Sequence, residues 1–249
     1  MPRHDESLRS ARYLTALPVY NEARHVSGVL DEVLRFTADV LVVDDGSTDG
    51  TSEVLAGRTD ARVVRHEINR GYGAALITAF AETLSGGWAG LVTIDCDGQH
   101  QPQLIPEFIQ AACNPKLGAE IISGSRYLKA PPLSASVPFD RRRINETVTA
   151  ELNRRLKFQL TDAFCGFKAY TRRALESLHI TEPGYAMPLE LWVQAAAAGL
   201  RVMELPVPLI YLDEARSFGG ALDDATTRLD YYRCVIDQAE AAVAAKDLE

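Results

Sequence analysis

Cysteine is scarce and scattered. The four in these 249 residues, Cys96, Cys113, Cys165 and Cys234, form no close pair, which excludes a zinc-ligand spacing. So few in so long a chain make no disulfide framework, and a reducing compartment is expected. Long apolar runs are missing too. The longest candidate, 189–200, carries Glu190 and Gln194 and falls short of the roughly 18 residues that span a bilayer. The first ten residues, MPRHDESLRS, are polar and lack the apolar centre of a signal peptide. The expectation is a cytoplasmic protein, either soluble or peripheral to a membrane. Basic excess is also missing. Lys and Arg total 26 against 34 Asp and Glu, a formal net charge of -8, so no nucleic-acid partner is expected. An anionic ligand stays open, because a metal ion and a few local arginines can neutralise a diphosphate.

What is present is a regular alternation in the first half. Short apolar runs at 13–17, 40–43, 61–66, 91–94 and 121–123 read as strands, with helical stretches at about 23–36 and 74–84. Near-continuous apolar strands separated by helices predict a doubly wound, mostly parallel sheet covered on both faces. Ligands bind such sheets beyond the carboxyl ends of the strands, and the polar motifs follow the strands. The second half reads as a Pro/Ser-rich loop at 129–138, a charged helix at 141–156, a strand at 163–170 and a helix at 188–198. A strand at 201–204 and an amphipathic tail helix at about 222–246 complete it. A chain of 249 residues suits one large α/β domain, or one domain with a small appendage.

Asp95 and Asp97 flank Cys96 after an apolar strand. Residues i and i+2 of an extended segment point the same way. Paired carboxylates repel unless a cation lies between them. A hard cation, Mg²⁺ or Mn²⁺, suits such oxygens and completes its shell with substrate phosphates. Gln99 continues the alternation. The competing reading is a polar turn built on Asp97-Gly98. Asp44 and Asp45 follow the second apolar strand, where an acidic residue can accept hydrogen bonds from a base or ribose. Helix capping by Ser47, Thr48 and Asp49 competes with that. The glycines of Asn69-Arg70-Gly71-Tyr72-Gly73 permit close backbone approach to a ligand at a helix start.

The motifs occur in a fixed order: PVYNE at 18–22, VVDDGSTDGT at 42–51, NRGYGAA at 69–75, DCDGQHQP at 95–102 and GSRY at 124–127. Asp162 and Cys165-Gly166-Phe167-Lys168 follow. This series resembles glycosyltransferase family 2, with the GT-A, Rossmann-like fold, and within it the polyprenyl- and dolichyl-phosphate mannosyltransferases.

The resemblance implies a metal-dependent, inverting transfer from a nucleotide-sugar, such as GDP-mannose or a UDP-sugar, to polyprenyl phosphate at a membrane surface. A soluble hydroxyl acceptor and a catalytically silent nucleotide-sugar-binding protein are the alternatives. Pro18, Tyr20, Glu22 and Asp44 would line the nucleoside pocket, with Gly71 and Lys168 also on the donor. Asp95, Asp97 and Gln99 would hold the metal. Arg126 would contact phosphate. Asp162 and Glu190 are the candidate general bases for a hydroxyl acceptor. Arg141, Arg142 and Arg143 are candidates for an anionic acceptor head group. The implied organisation is a GT-A domain over 1–215, with a nucleotide-sugar half at about 12–127 and an acceptor half at about 128–215. A helical extension over 216–249 follows. The family's late Arg…Ser-Lys element is replaced by Arg216-Ser217-Phe218-Gly219-Gly220, without the lysine, and no C-terminal transmembrane helix is seen.

Overall fold

The computed structural model describes residues 12–129, 139–210 and 220–246. The Pro-rich loop after 129 and the stretch from Arg216 to Gly219 lie outside them. Seven strands form one sheet in the order β3-β2-β1-β4-β6-β5-β7. They are β1 (Tyr13–Val19), β2 (Val40–Asp44), β3 (Arg62–Arg65), β4 (Gly90–Thr93), β5 (Ile121–Ser125), β6 (Lys168–Thr171) and β7 (Val202–Pro206). All pairings are parallel except those of β6, which runs against β4 and β5.

The strands are apolar on both faces because both faces are covered. Leu14, Ala16, Leu41, Val43, Leu91, Ile121 and Tyr170 point into one cluster. Their neighbours Tyr13, Leu17, Val40, Val42, Val92, Ile122 and Ala169 point into the other. The first cluster is closed by α3 (Tyr72–Ser85), α5 (Phe139–Leu156), α6 (Arg172–Ser177), α7 (Met187–Ala197) and α8 (Ala225–Lys246). The second is closed by α1 (Val26–Val33), α2 (Thr51–Ala56) and α4 (Ile105–Ala112). Helix α1 shows why: Val26, Leu30 and Val33 recur at helical spacing and are fully buried. Helix α8 packs on α7 and α5 and sends Tyr232, Val235, Ile236 and Ala239 into the first cluster.

The expected doubly wound α/β sheet is therefore observed, with three local differences. Strand β1 runs past Pro18 to Val19. Its pairing with β4 ends at Ala16↔Thr93, so the missing N–H of Pro18 costs no bond on that side. Residues 163–167 are a turn rather than strand, and only Lys168–Thr171 joins the sheet. Helices α2, α4 and α6 went unread, being six to eight residues long, too short for a clear period.

The reversed β6 has a positional effect. Lys168 pairs with Thr93 at the carboxyl end of β4. The turn before β6 is thereby delivered to the edge where β1, β2, β4 and β5 end.

Candidate active site

A cleft of about 670 Å³ opens on that edge. Its first side is Pro18, Tyr20, Glu22, Asp45, Asn69, Gly71 and Tyr72. Asp95, Asp97, Gln99 and His100 form its middle. Arg126 and Tyr127, which follow β5, are joined on the lining by Arg141 of α5, Phe164 of the turn before β6, and Arg228 and Tyr232 of α8.

The turns after β1 and β2 lock together. Asn21, left-handed at φ 55°, accepts the Thr48 N–H at 2.8 Å, and its own N–H donates to Ser47 Oγ at 2.9 Å. The Glu22 N–H donates to Thr51 Oγ1 at 2.8 Å. Pro18, Tyr20 and Glu22 reach the cleft from this frame. Asp44 does not line it. Its carboxylate lies 1% exposed and accepts the Ser47 N–H at 3.0 Å and the Ser52 hydroxyl at 2.5 Å. Arg65 stands 3.5 Å away. Asp44 thus builds the turn that carries the motif. Asp45 faces the other loop. It accepts the N–H groups of Arg70 and Gly71, at 3.0 and 2.7 Å, and meets His66 Nδ1 at 2.6 Å.

Gly71 lines the cleft at φ 105°. The close approach it allows is also to protein: a side chain there would strike the Pro183 carbonyl.

The Asp-x-Asp pair is both a turn and a carboxylate pair. Gly98 sits at φ 73° and the Gln99 N–H donates to Asp97 Oδ1 at 3.0 Å. This turn ends the strand-like alternation before Gln99, which nonetheless lines the cleft. Cys96, between the two acids, is buried in the second cluster. Burial raises the pKa of Asp97, and the charge of Asp95 raises it further. Burial raises that of Asp95 too, opposed by a hydrogen bond from Tyr72 and the charges of Lys168 and Arg126. Two carboxylates that disfavour each other's charge suit a divalent cation. No group of three or more His, Cys, Asp or Glu side chains placed to hold a metal occurs among the described residues. A cation here would draw its other ligands from water and a bound diphosphate.

His100 belongs to this centre. Its Nδ1 accepts the Asp95 N–H at 3.1 Å, so the ring is neutral and carries its proton on Nε2. Burial lowers its pKa to about 4, and its 3.7 Å approach to Asp95 Oδ2 is no ion pair.

Arg126 lines the cleft and is aimed by Asp162. Two hydrogen bonds of 2.7 and 2.9 Å join guanidinium to carboxylate. Asp162 also accepts from Asn145 Nδ2 at 2.8 Å and from the Phe164 N–H at 3.1 Å. Burial alone would raise its pKa, but Arg126 and these donors hold it at about 2. Asp162 is fully buried and off the cleft lining, so the geometry gives it no base to offer.

Glu190 is likewise taken up by hydrogen bonds within the protein. It accepts the N–H groups of Thr181 and Glu182, at 2.9 and 2.7 Å, with Thr181 Oγ1 and Gln194 Nε2 each at 3.0 Å. It pins the 181–182 segment and is not on the lining. Lys168, expected on the donor, is 2% exposed and lies beneath the cleft. Its ammonium donates to the Cys165 carbonyl and stands 5.4 Å from the Trp192 ring.

Of the three arginines opening α5, only Arg141 lines the cleft. Arg142 is exposed and paired with Glu146 at 2.8 Å, and Arg143 is exposed as well. Adjacent helical residues diverge by about 100°. Sequence reasoning missed Tyr72, His100, Tyr127, Tyr185, Arg228 and Tyr232. Of these, Tyr72, His100 and Tyr127 stand inside quoted motifs, whereas Arg228 and Tyr232 carry no local signal.

Residues 15–178 match the family described as Glycosyl transferase family 2. An undecaprenyl-phosphate mannosyltransferase of Micrococcus luteus is 30% identical over 229 residues, covering 88% of this chain and 92% of that protein. A polyprenol monophosphomannose synthase of Mycolicibacterium smegmatis is 30% identical over 206 residues, 79% and 76% of the two chains. In fold, the chain resembles glucosyl-3-phosphoglycerate synthase of Mycobacterium tuberculosis, crystallised with Mn²⁺, UDP and phosphoglyceric acid. The TM-score is 0.71 at 20% identity, over 94% of this chain and 80% of that one.

Proposed function

This chain belongs to glycosyl transferase family 2 and is a glycosyltransferase, and from that premise we propose that it moves a sugar from a nucleotide-sugar to the phosphate of a polyprenyl acceptor. GDP-mannose or a UDP-sugar is the donor, and Asp95 and Asp97 would hold Mg²⁺ or Mn²⁺ to neutralise its diphosphate. One observation carries the acceptor. Arg126, Arg141 and Arg228 line the cleft, and its carboxylates among the described residues, Glu22, Asp45, Asp95 and Asp97, all belong to the turns after β1, β2 and β4. A hydroxyl nucleophile needs a base within hydrogen-bond reach, and Asp162 and Glu190 are both committed to internal donors. A phosphate is already anionic, and arginine matches its oxygens.

The residues then divide the work. Pro18, Tyr20 and Glu22 hold the nucleoside, with Asp44 bracing their turn from behind. Gly71, its N–H held by Asp45, leaves the donor room beside the start of α3 by carrying no side chain, and Lys168 adds positive charge from below. Asp95 and Asp97, with Gln99 beside them, would hold the cation. When bound, it neutralises charge developing on the leaving diphosphate. Arg126, kept in place by Asp162, contacts phosphate. Attack from the face opposite the diphosphate inverts the anomeric carbon. Tyr127, Phe164 and Tyr232 give the acceptor side apolar surface beside its arginines. No helix among the described residues is long and apolar enough to cross a membrane, so a lipid phosphate would be met at the membrane surface.

The test is transfer from labelled GDP-mannose and from UDP-sugars to a short-chain polyprenyl phosphate, with Mn²⁺ or with EDTA. EDTA-sensitive product on the phosphate supports the reading. Transfer to a hydroxyl compound alone overturns the acceptor. Full activity in EDTA overturns the metal, and donor binding without turnover makes the chain a silent binder.

A further inference from the structure

Tyr72 is the first residue of α3, and its hydroxyl donates to Asp95 Oδ1 at 3.0 Å. Its ring stacks on Tyr185, with centroids 5.9 Å apart and planes 16° apart. Tyr185 rides on a segment anchored at two other points. Glu190 holds the N–H groups of Thr181 and Glu182. The Tyr231 hydroxyl, from α8, donates to Glu182 Oε1 at 2.5 Å. Gly166 also lies against Asp95, and any side chain there would run into the carboxylate. Asp95 therefore meets a hydroxyl donor and packs against bare backbone.

We propose that Tyr72 is a positioning residue, whose hydroxyl fixes the Asp95 carboxylate in the orientation that holds the divalent cation. This rests on the metal reading above. A carboxylate offers about four lone-pair sites. One neutral donor occupies one of them and leaves the rest for a metal. A lysine or arginine in the same place would cancel the charge that draws the cation. Carboxylates that ligate metals are themselves commonly hydrogen-bonded, and losing that partner costs about 10–100-fold in metal affinity. The Tyr185 stack limits the swing of the phenol, so the donor arrives already aimed.

The experiment is Mn²⁺ binding to the full chain in the presence of GDP or UDP, read by electron paramagnetic resonance or calorimetry. Wild type is compared with Tyr72→Phe and Tyr185→Ala. Tyr72→Phe keeps the ring and the stack and removes only the donor. It is expected to weaken Mn²⁺ about tenfold, with an unchanged melting temperature in EDTA and unchanged metal-free nucleotide affinity. Tyr185→Ala, which keeps the hydroxyl, is expected to weaken Mn²⁺ less. Wild-type Mn²⁺ affinity in Tyr72→Phe overturns the proposal. So does a loss of affinity accompanied by a fall in melting temperature, which would make Tyr72 merely structural. Wild type that binds no Mn²⁺ with either nucleotide overturns the metal reading, and this proposal with it.

Discussion

Asp162 grips Arg126 from below, through parallel bonds of 2.7 and 2.9 Å and a third of 3.2 Å from the Arg126 N–H. The acid lies fully buried while 22% of the arginine side chain remains exposed. The pair is joined across 36 residues of sequence, and its exposed end faces the cleft.

Asp162→Asn should cost both stability and turnover. The carboxylate is held at about pKa 2 in the fold, below its unfolded value near 4. Its stabilisation is thus complete above pH 4 and is lost as pH falls from about 4 toward 2. The variant should be less stable than wild type at pH 7 by about 2 kcal/mol, and the gap should narrow by pH 3. Urea denaturation at both pH values checks this. A gap that widens on acidification would contradict the assignment.

Asp97→Asn should remove turnover while leaving the fold intact. Relieving repulsion between two carboxylates helps the metal-free protein. A loss of roughly 100-fold or more in kcat is expected from deleting one group that stabilises transition-state charge. The check is kinetics across a Mn²⁺ titration, beside a melting curve in EDTA that should not fall.

The acceptor side predicts a contrast between neighbours. Arg141→Ala should raise the acceptor KM about tenfold, or 1.4 kcal/mol, with donor binding unchanged. Arg228→Ala should act in the same direction. It should also loosen the 220–223 turn, because Arg228 donates to the Leu222 carbonyl at 2.6 Å. Arg142→Ala, exposed and paired with Glu146, should stay near wild type. Steady-state kinetics on a short-chain polyprenyl phosphate separates these. Equal effects at Arg141 and Arg142 would sink the cleft assignment.

Thr15 offers a test remote from the site. Its Oγ1 is buried and has no hydrogen-bond partner among the described residues. A buried, unpaired hydroxyl costs about 1–3 kcal/mol. Thr15→Val should therefore raise stability by about 1 kcal/mol, measured as a higher denaturant midpoint at constant slope.

The sheet was legible because parallel strands buried on both faces are written as unbroken apolar runs, as in Val40–Val43. The polar ends of those runs were legible for the same reason: chain order places the ends of β1, β2, β4 and β5 on one edge. Asp95 and Asp97 needed only an i, i+2 spacing. What stayed hidden depends on residues far apart in sequence. Nothing local reveals that Asp162 is sealed under Arg126, or that Glu190 is consumed by Thr181 and Glu182. Lys168 shows the same limit, since a lysine's burial against Trp192 leaves no mark in its own neighbourhood. Tyr72 stood inside a quoted motif, yet its partner Asp95 is 23 residues away. The antiparallel course of β6 was equally invisible, because strand direction is set by where the chain returns.

The cleft draws on residues from Pro18 to Tyr232, and this has a consequence for synthesis. A chain growing from its amino end completes the Asp-x-Asp turn well before α8, and the last strand, β7, shortly before it. Until α8 is made, the surfaces of α5 and α7 that it covers remain bare, and Glu182 lacks the Tyr231 bond. The turns after β1, β2 and β4 that line the cleft are therefore made first, and its α8 residues are made last. Exposed apolar faces on partly made chains invite aggregation. The nascent protein thus carries the acidic turns of the cleft before it carries Arg228 and Tyr232.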